Sequence, residues 1–137
     1  MRKLTRDDYD TYYPLINEFR KTTFSREQFI TYIDTLPSNM ELYVIELENE
    51  LIATCTVIFE PKLIFDMCTY AHIEDVCVLS KFRKRGIGTQ LMNEVIDLCK
   101  ERNCKKITLV CNPPNIHFYQ LSSFEQRGVQ MSILLKE

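Results

Sequence analysis

Glycine is scarce in this chain: there are three in 137 residues, and two of them, Gly86 and Gly88, stand one residue apart. A pair so placed marks a point where the backbone itself has a task. Tryptophan is absent, and the formal charge is only −2 with charged residues at 26%. There is neither a global basic bias toward nucleic acid nor an acidic tail. No run of about eighteen apolar residues occurs, so no membrane-spanning segment is expected. Histidine is limited to His72 and His117, and the six cysteines at 55, 68, 77, 99, 104 and 111 include no Cys-x-x-Cys pair. That pattern argues against a metal site and for reduced thiols within apolar segments. Repeats and low-complexity tracts are also missing, and a cytoplasmic protein of one domain, residues 1–137, without a secretory leader, is expected.

What is present alternates between two periods. Arg2-Lys3-Leu4 reads as a short strand, and Tyr9, Tyr12, Leu15, Ile16 and Phe19 give a helix over about 7–21, which Pro14 should kink or split. Ser25-Arg26-Glu27-Gln28 is a capping box with Phe24 as a staple, opening a second helix that Pro37 stops. Residues 41–47 and 51–59 form a hairpin, and 69–79 a third strand. A helix over 87–102, a strand over 106–111, and a short helix after Pro113-Pro114 follow. The last apolar stretch, Val129 to Leu135, should close the sheet.

The glycine pair lies in Lys81-Phe82-Arg83-Lys84-Arg85-Gly86-Ile87-Gly88-Thr89, between a strand and an amphipathic helix. Such a turn suits an anion, because the first helical N–H groups have no intrahelical partner and the helix dipole adds partial positive charge there. Arg-x-x-Gly-x-Gly is not the dinucleotide fingerprint, and it lacks the Gly-Lys-Ser/Thr ending of a nucleotide loop. A solvated basic turn with a capping glycine would look alike in isolation. The order of strand, turn and helix favours a pyrophosphate.

Ala71-His72-Ile73-Glu74-Asp75-Val76-Cys77-Val78 before the turn, Asn115-Ile116-His117-Phe118-Tyr119 after it, and Phe124 with Gly128-Val129-Gln130-Met131 together resemble the GNAT acyltransferase superfamily. Within it they are most similar to the glucosamine 6-phosphate N-acetyltransferases. The resemblance implies an α/β (mixed α+β) fold: a mixed, mostly antiparallel sheet, flanked by helices and splayed between strands 69–79 and 106–111, with acetyl-CoA in the V. It implies direct acetyl transfer in a ternary complex from acetyl-CoA to the amine of D-glucosamine 6-phosphate, a step toward UDP-N-acetylglucosamine, without a metal. It also implies an intertwined homodimer whose terminal strand reaches the partner's substrate site.

The resemblance assigns residues as well. Backbone N–H groups of Arg83, Lys84, Arg85, Gly86, Ile87, Gly88 and Thr89 would hold the pyrophosphate. Val76, Cys77 and Val78 would pair with the pantetheine arm, the Val76 N–H polarising the thioester carbonyl. Glu74 or Asp75 would take the ammonium proton, with Glu74 favoured as base and Asp75 as a substrate ligand. Adjacent strand residues face opposite ways, so a bulge is needed if both are to reach the amine. Tyr119 would protonate the departing thiolate, and Asn115, one turn earlier, would contact the cofactor. Thr22, Thr23, Asn112 and Lys136 are candidates for the acceptor, and Lys105, Lys106 and Arg127 offer further cations for a phosphate. The family pattern has acids near the end of strand 106–111 and a base in the last strand; Val110, Asn112 and Leu134 stand there instead. Another small amine or a protein amine as acceptor, or a regulatory module that binds CoA without catalysis, therefore stay open. Cys111 as a nucleophile and a nucleic-acid role have less to recommend them.

Overall fold

The structure is a computed structural model and describes residues 1–136. Five strands form one sheet in the order β1-β2-β3-β4-β5, comprising Arg2–Lys3, Met40–Leu47, Glu50–Pro61, Thr69–Val78 and Lys106–Leu109. The first three junctions are antiparallel and the β4/β5 junction is parallel. A parallel junction needs a crossover, and α4 (Ile87–Glu101) supplies it. The other helices are α1 (Tyr9–Phe19), α2 (Arg26–Asp34), the single turn α3 (Ile64–Met67) and α5 (Ile116–Gln120).

Local chemistry accounts for most of these bounds. The two-residue loop Glu48-Asn49 joins β2 to β3 with positive φ at both positions (49° and 63°), as a tight hairpin of two right-twisted strands requires. Ser25 Oγ accepts from the Gln28 N–H at 3.1 Å, and Gln28 Oε1 accepts from the Ser25 N–H at 2.8 Å. Phe24 then stacks on Phe29 across the helix start. Helix α1 runs through Pro14 without the split its sequence suggests. Leu91, Met92, Val95 and Cys99 of α4 are buried with Cys55, Val57, Ala71 and Ile73 of the sheet. Each large apolar side chain so buried stabilises the fold by about 2 kcal/mol. Among the described residues no helix is long and apolar enough to cross a membrane.

The final strand does not form. Residues 129–136 carry no regular structure, and Val129, Met131, Ile133, Leu134 and Leu135 are 82–91% exposed. The strand period is present, but β5 offers an edge only four residues long. In one chain that ladder and the little area it would cover do not offset the entropy of ordering the tail.

Candidate active site

Strand β5 pairs with β4 from Tyr70↔Lys106 to Ile73↔Leu109 and then stops, two residues earlier than the sequence suggests. Beyond that point Glu74 to Val78 keep β3 on one side only. A bulge lies at the same place: Thr56 pairs with Glu74 and Thr54 with Cys77, so Asp75 and Val76 together oppose Cys55. Asp75 takes φ +51°, a left-handed conformation uncommon for a side-chain-bearing residue. The strand therefore turns away from β5, and the backbone groups along its freed edge are not used by the sheet. One of them, the Val78 carbonyl, accepts from Arg83 Nε at 3.0 Å.

Strand alternation sends Ala71 and Ile73 into the core and leaves Tyr70, His72 and Glu74 on the open face, with Lys106 and Thr108 beside them on β5. The bulge brings the neighbouring carboxylate into play too. The Tyr12 phenol is pushed up to about 12, chiefly by burial and in smaller part by the Asp75 charge, and Tyr32 is raised by burial and then by Asp75. Asp75 thus lies close enough to Tyr12 of α1 and Tyr32 of α2 for its charge to act on both phenols.

Beyond the splay, Gly86 caps α4 at φ +81° with no side-chain partner for the first turn. The N–H groups of Ile87, Gly88 and Thr89 therefore point outward from a positive helix end, next to Arg83, Lys84 and Arg85. Gly88 leaves room for its neighbour: a Cβ there would lie 2.8 and 2.9 Å from ring atoms of Phe118, so any other residue would have to push that ring aside. Ser80 N–H donates to Glu18 Oε1 at 2.6 Å and ties the loop to α1.

Tyr119, 9% exposed, sits on α5 edge-on to Phe118 (4.8 Å) and Phe124 (6.0 Å). Burial first, then the Cys111 and Cys55 thiols, push its phenol up to about 12. It therefore holds its proton throughout the neutral range. Asn115 begins the same helix one turn before it, and its N–H bonds to the Asn112 carbonyl at 2.9 Å.

Other candidates are not gathered here. Thr22 and Thr23 border a separate open pocket with Tyr13, Asn17 and Lys21, where the Thr22 N–H is bound by Asn17 Oδ1 at 3.0 Å. Lys136 is in the exposed tail. The Cys77 side chain is buried against the Leu15 carbonyl, so only its backbone can face a ligand. Among the described residues no three His, Cys, Asp or Glu side chains gather as a metal site would.

One cluster is not evident from the sequence. Phe65 and Tyr70 stack with ring centres 6.1 Å apart; the Lys62 and Lys106 ammonium groups lie 5.2 and 5.3 Å from the Tyr70 ring, and Lys105 5.0 Å from Phe65. Lys62 also pairs with Glu60, which binds His72. Lys105 and Lys106 are visible in the sequence as cations, but Lys62, Phe65 and Tyr70 join them only because the β3–β4 hairpin closes through three consecutive left-handed residues, Phe65, Asp66 and Met67. Next to the cluster, a cavity of about 590 Å³ runs between Tyr70, Ile96, Lys105, Lys106 and the turn after α5. Glu74 and Asp75 thus lie along a strand edge freed from β5, with an uncapped basic helix start beyond one end and lysines on aromatic rings at the other.

The chain belongs to the GNAT acetyltransferases: the pattern of the "Acetyltransferase (GNAT) family" matches residues 3–124. Its relatives are more specific. Glucosamine 6-phosphate N-acetyltransferase 1 of Dictyostelium discoideum is 30% identical over 98% of this chain and 89% of its own length, and the Candida albicans enzyme of that name is 29% identical over 95% and 91%. The crystal structure of glucosamine-6-phosphate N-acetyltransferase from Arabidopsis thaliana superposes with a TM-score of 0.93 at 29% identity, covering 98% of this chain and 97% of that one.

Proposed function

We propose that this protein transfers the acetyl group of acetyl-CoA to the amine of D-glucosamine 6-phosphate. The observation that carries the reading is the freed edge of β4 beside an uncapped, basic helix start, a cradle for pantetheine and pyrophosphate together. The amine attacks the thioester carbonyl, which the Val76 N–H polarises, and a C–N bond forms. Before the attack Glu74 accepts a proton from the substrate ammonium, with Asp75 orienting the sugar. As the tetrahedral adduct collapses, the C–S bond breaks, Tyr119 gives its proton to the thiolate, and the proton shed by the adduct's nitrogen restores the phenol. Burial pushes the Cys55 and Cys77 thiols up, to about 12 and about 11, which makes them poor nucleophiles and favours direct transfer.

The names of the relatives and the lysine cluster support the acceptor. Tyr70 and Glu74 are four residues apart on one strand, roughly 13 Å, which a sugar phosphate and a lysine side chain bridge together. Lys62, Lys105 and Lys106 supply the positive charge that Leu134 does not. The exposed tail and the open edge of β5 are complementary between two copies, so the working unit is a homodimer in which each tail pairs with the other copy's β5. Six free cysteines fit a reducing, cytoplasmic setting.

A panel of amines assayed for thiol release from acetyl-CoA tests the reading. Glucosamine 6-phosphate is expected to exceed glucosamine in kcat/KM by at least about tenfold, since charge-assisted hydrogen bonds to the phosphate are lost without it. A preference for a polyamine or an aminoglycoside, or no release from any amine, contradicts it.

A further inference from the structure

We propose that Cys99 and Cys104 form a reversible oxidation site: hydrogen peroxide converts the two thiols into an intrachain disulfide that locks the joint between α4 and β5. The end of α4 sets the pair face to face. The Asn103 N–H bonds to the Lys100 carbonyl at 3.0 Å and the Cys104 N–H to the Cys99 carbonyl at 2.9 Å, while Asn103 takes φ +55°. These two bonds and the left-handed residue between them make a helix-ending turn whose first and last side chains meet, commonly as an apolar contact. Here both partners are cysteine, and their thiols lie within hydrogen-bonding reach of each other.

The two sulfurs are not equivalent. Cys99 is 1% exposed among the core residues of α4 and the sheet, whereas Cys104 is partly exposed and open to a small oxidant. Burial raises the Cys104 thiol, while the Cys99 hydrogen bond and the Arg102 charge act in the opposite direction. Cys99 is pushed up to about 12, first by burial and then by Cys104. Cys104 is therefore the sulfur that ionises, and Cys99 the one that keeps its proton beside it. Other thiols have other neighbours: Cys77 faces the Leu15 carbonyl and Cys68 the Ile64 carbonyl, each at 3.7 Å.

The reaction balances with peroxide as the oxidant. The Cys104 thiolate attacks one peroxide oxygen, an S–O bond forms, the O–O bond breaks, and the departing hydroxide takes up the proton shed by the thiol; the product is a sulfenic acid and water. The Cys99 sulfur then attacks that of Cys104, the S–S bond forms, and the displaced hydroxide leaves as water with the Cys99 proton. Two thiols lose two electrons, and one peroxide becomes two waters. A reducing dithiol reverses the change. The bond would fall one residue before Lys105, whose N–H donates to the Thr69 carbonyl at 2.8 Å where β5 meets β4.

Peptide mapping by mass spectrometry after peroxide treatment of the folded protein tests the pair. Trypsin cuts between the two cysteines at Lys100 and Arg102, so a linked peptide pair reports the bond directly. The expected product is a Cys99–Cys104 linkage, reversed by dithiothreitol. Its rate should rise about tenfold per unit between about pH 6 and 8, because only the thiolate reacts. Cys99→Ala should let Cys104 proceed to the sulfinic acid, Cys104→Ser should leave Cys99 unoxidised at the same dose, and Cys68→Ser with Cys111→Ser should form the linkage at the wild-type rate. Amide exchange at Asn103 and Cys104 should slow about threefold or more in the oxidised form. A linkage that instead uses Cys55, Cys68 or Cys111, one that joins two copies, or one that forms only in urea overturns the proposal. So does sulfinic acid at Cys104 in the wild-type protein without any disulfide, or unchanged amide exchange after the linkage has formed.

Discussion

Replacing Tyr119 by Phe is expected to lower kcat by roughly a hundredfold or more while leaving KM for acetyl-CoA nearly unchanged, the range in which loss of a positioned general acid falls. The substitution removes one oxygen and keeps the ring that packs edge-on against Phe118 and Phe124, so a loss of folding does not confuse the result. Burial sets the acid's working range. With its phenol pushed up to about 12, Tyr119 contributes in the protonated form at every lower pH and loses that role only as pH rises through that value. The wild-type pH–rate profile should therefore show no alkaline decline from Tyr119 between about pH 7 and 10. Initial rates of thiol release across that span check both statements; unchanged turnover in the variant removes the leaving-group role.

The second large effect is expected at Glu74. Glu74→Gln keeps size and polarity on the open face of β4 but cannot accept a proton, and kcat/KM at neutral pH should fall by about a hundredfold. The sign of its pH dependence separates a base from a mere substrate ligand. A base matters while the acceptor is an ammonium, so the deficit should shrink as pH rises and the free amine becomes abundant. A constant deficit at all pH values would assign Glu74 to binding and transfer the base role to Asp75, its neighbour across the bulge.

Much of this site is legible in the amino-acid sequence, and the parts that are not share a cause. The Ser25–Gln28 capping box, the Gly86–Gly88 turn and the Asn115–Tyr119 spacing are local: each needs only a few adjacent residues, and each folds as its sequence suggests. The bulge at Asp75 is not local, because its positive φ is imposed by the register of β3 against β4, with Cys55 facing two residues. Nor is the lysine–aromatic cluster, which needs a hairpin closure to bring Lys62 to Tyr70 and a parallel crossover to bring Lys106 to the same ring. The tail is the opposite case. Val129 to Leu135 carries a legible period, but a period specifies a strand only where a second surface covers it, and one chain supplies none. Likewise Cys77 lies on β4 as its position in the sequence suggests, but its side chain is turned inward to the Leu15 carbonyl.

The central claim is that the freed edge of β4 and the turn from Arg83 to Thr89 form a seat for acetyl-CoA. Calorimetric titration of acetyl-CoA into the purified protein tests it most directly. A saturable exothermic binding curve with one site per chain, weakened as salt screens the basic turn, is the predicted result. Absence of binding heat at any temperature tried, with the protein shown to be folded, contradicts it.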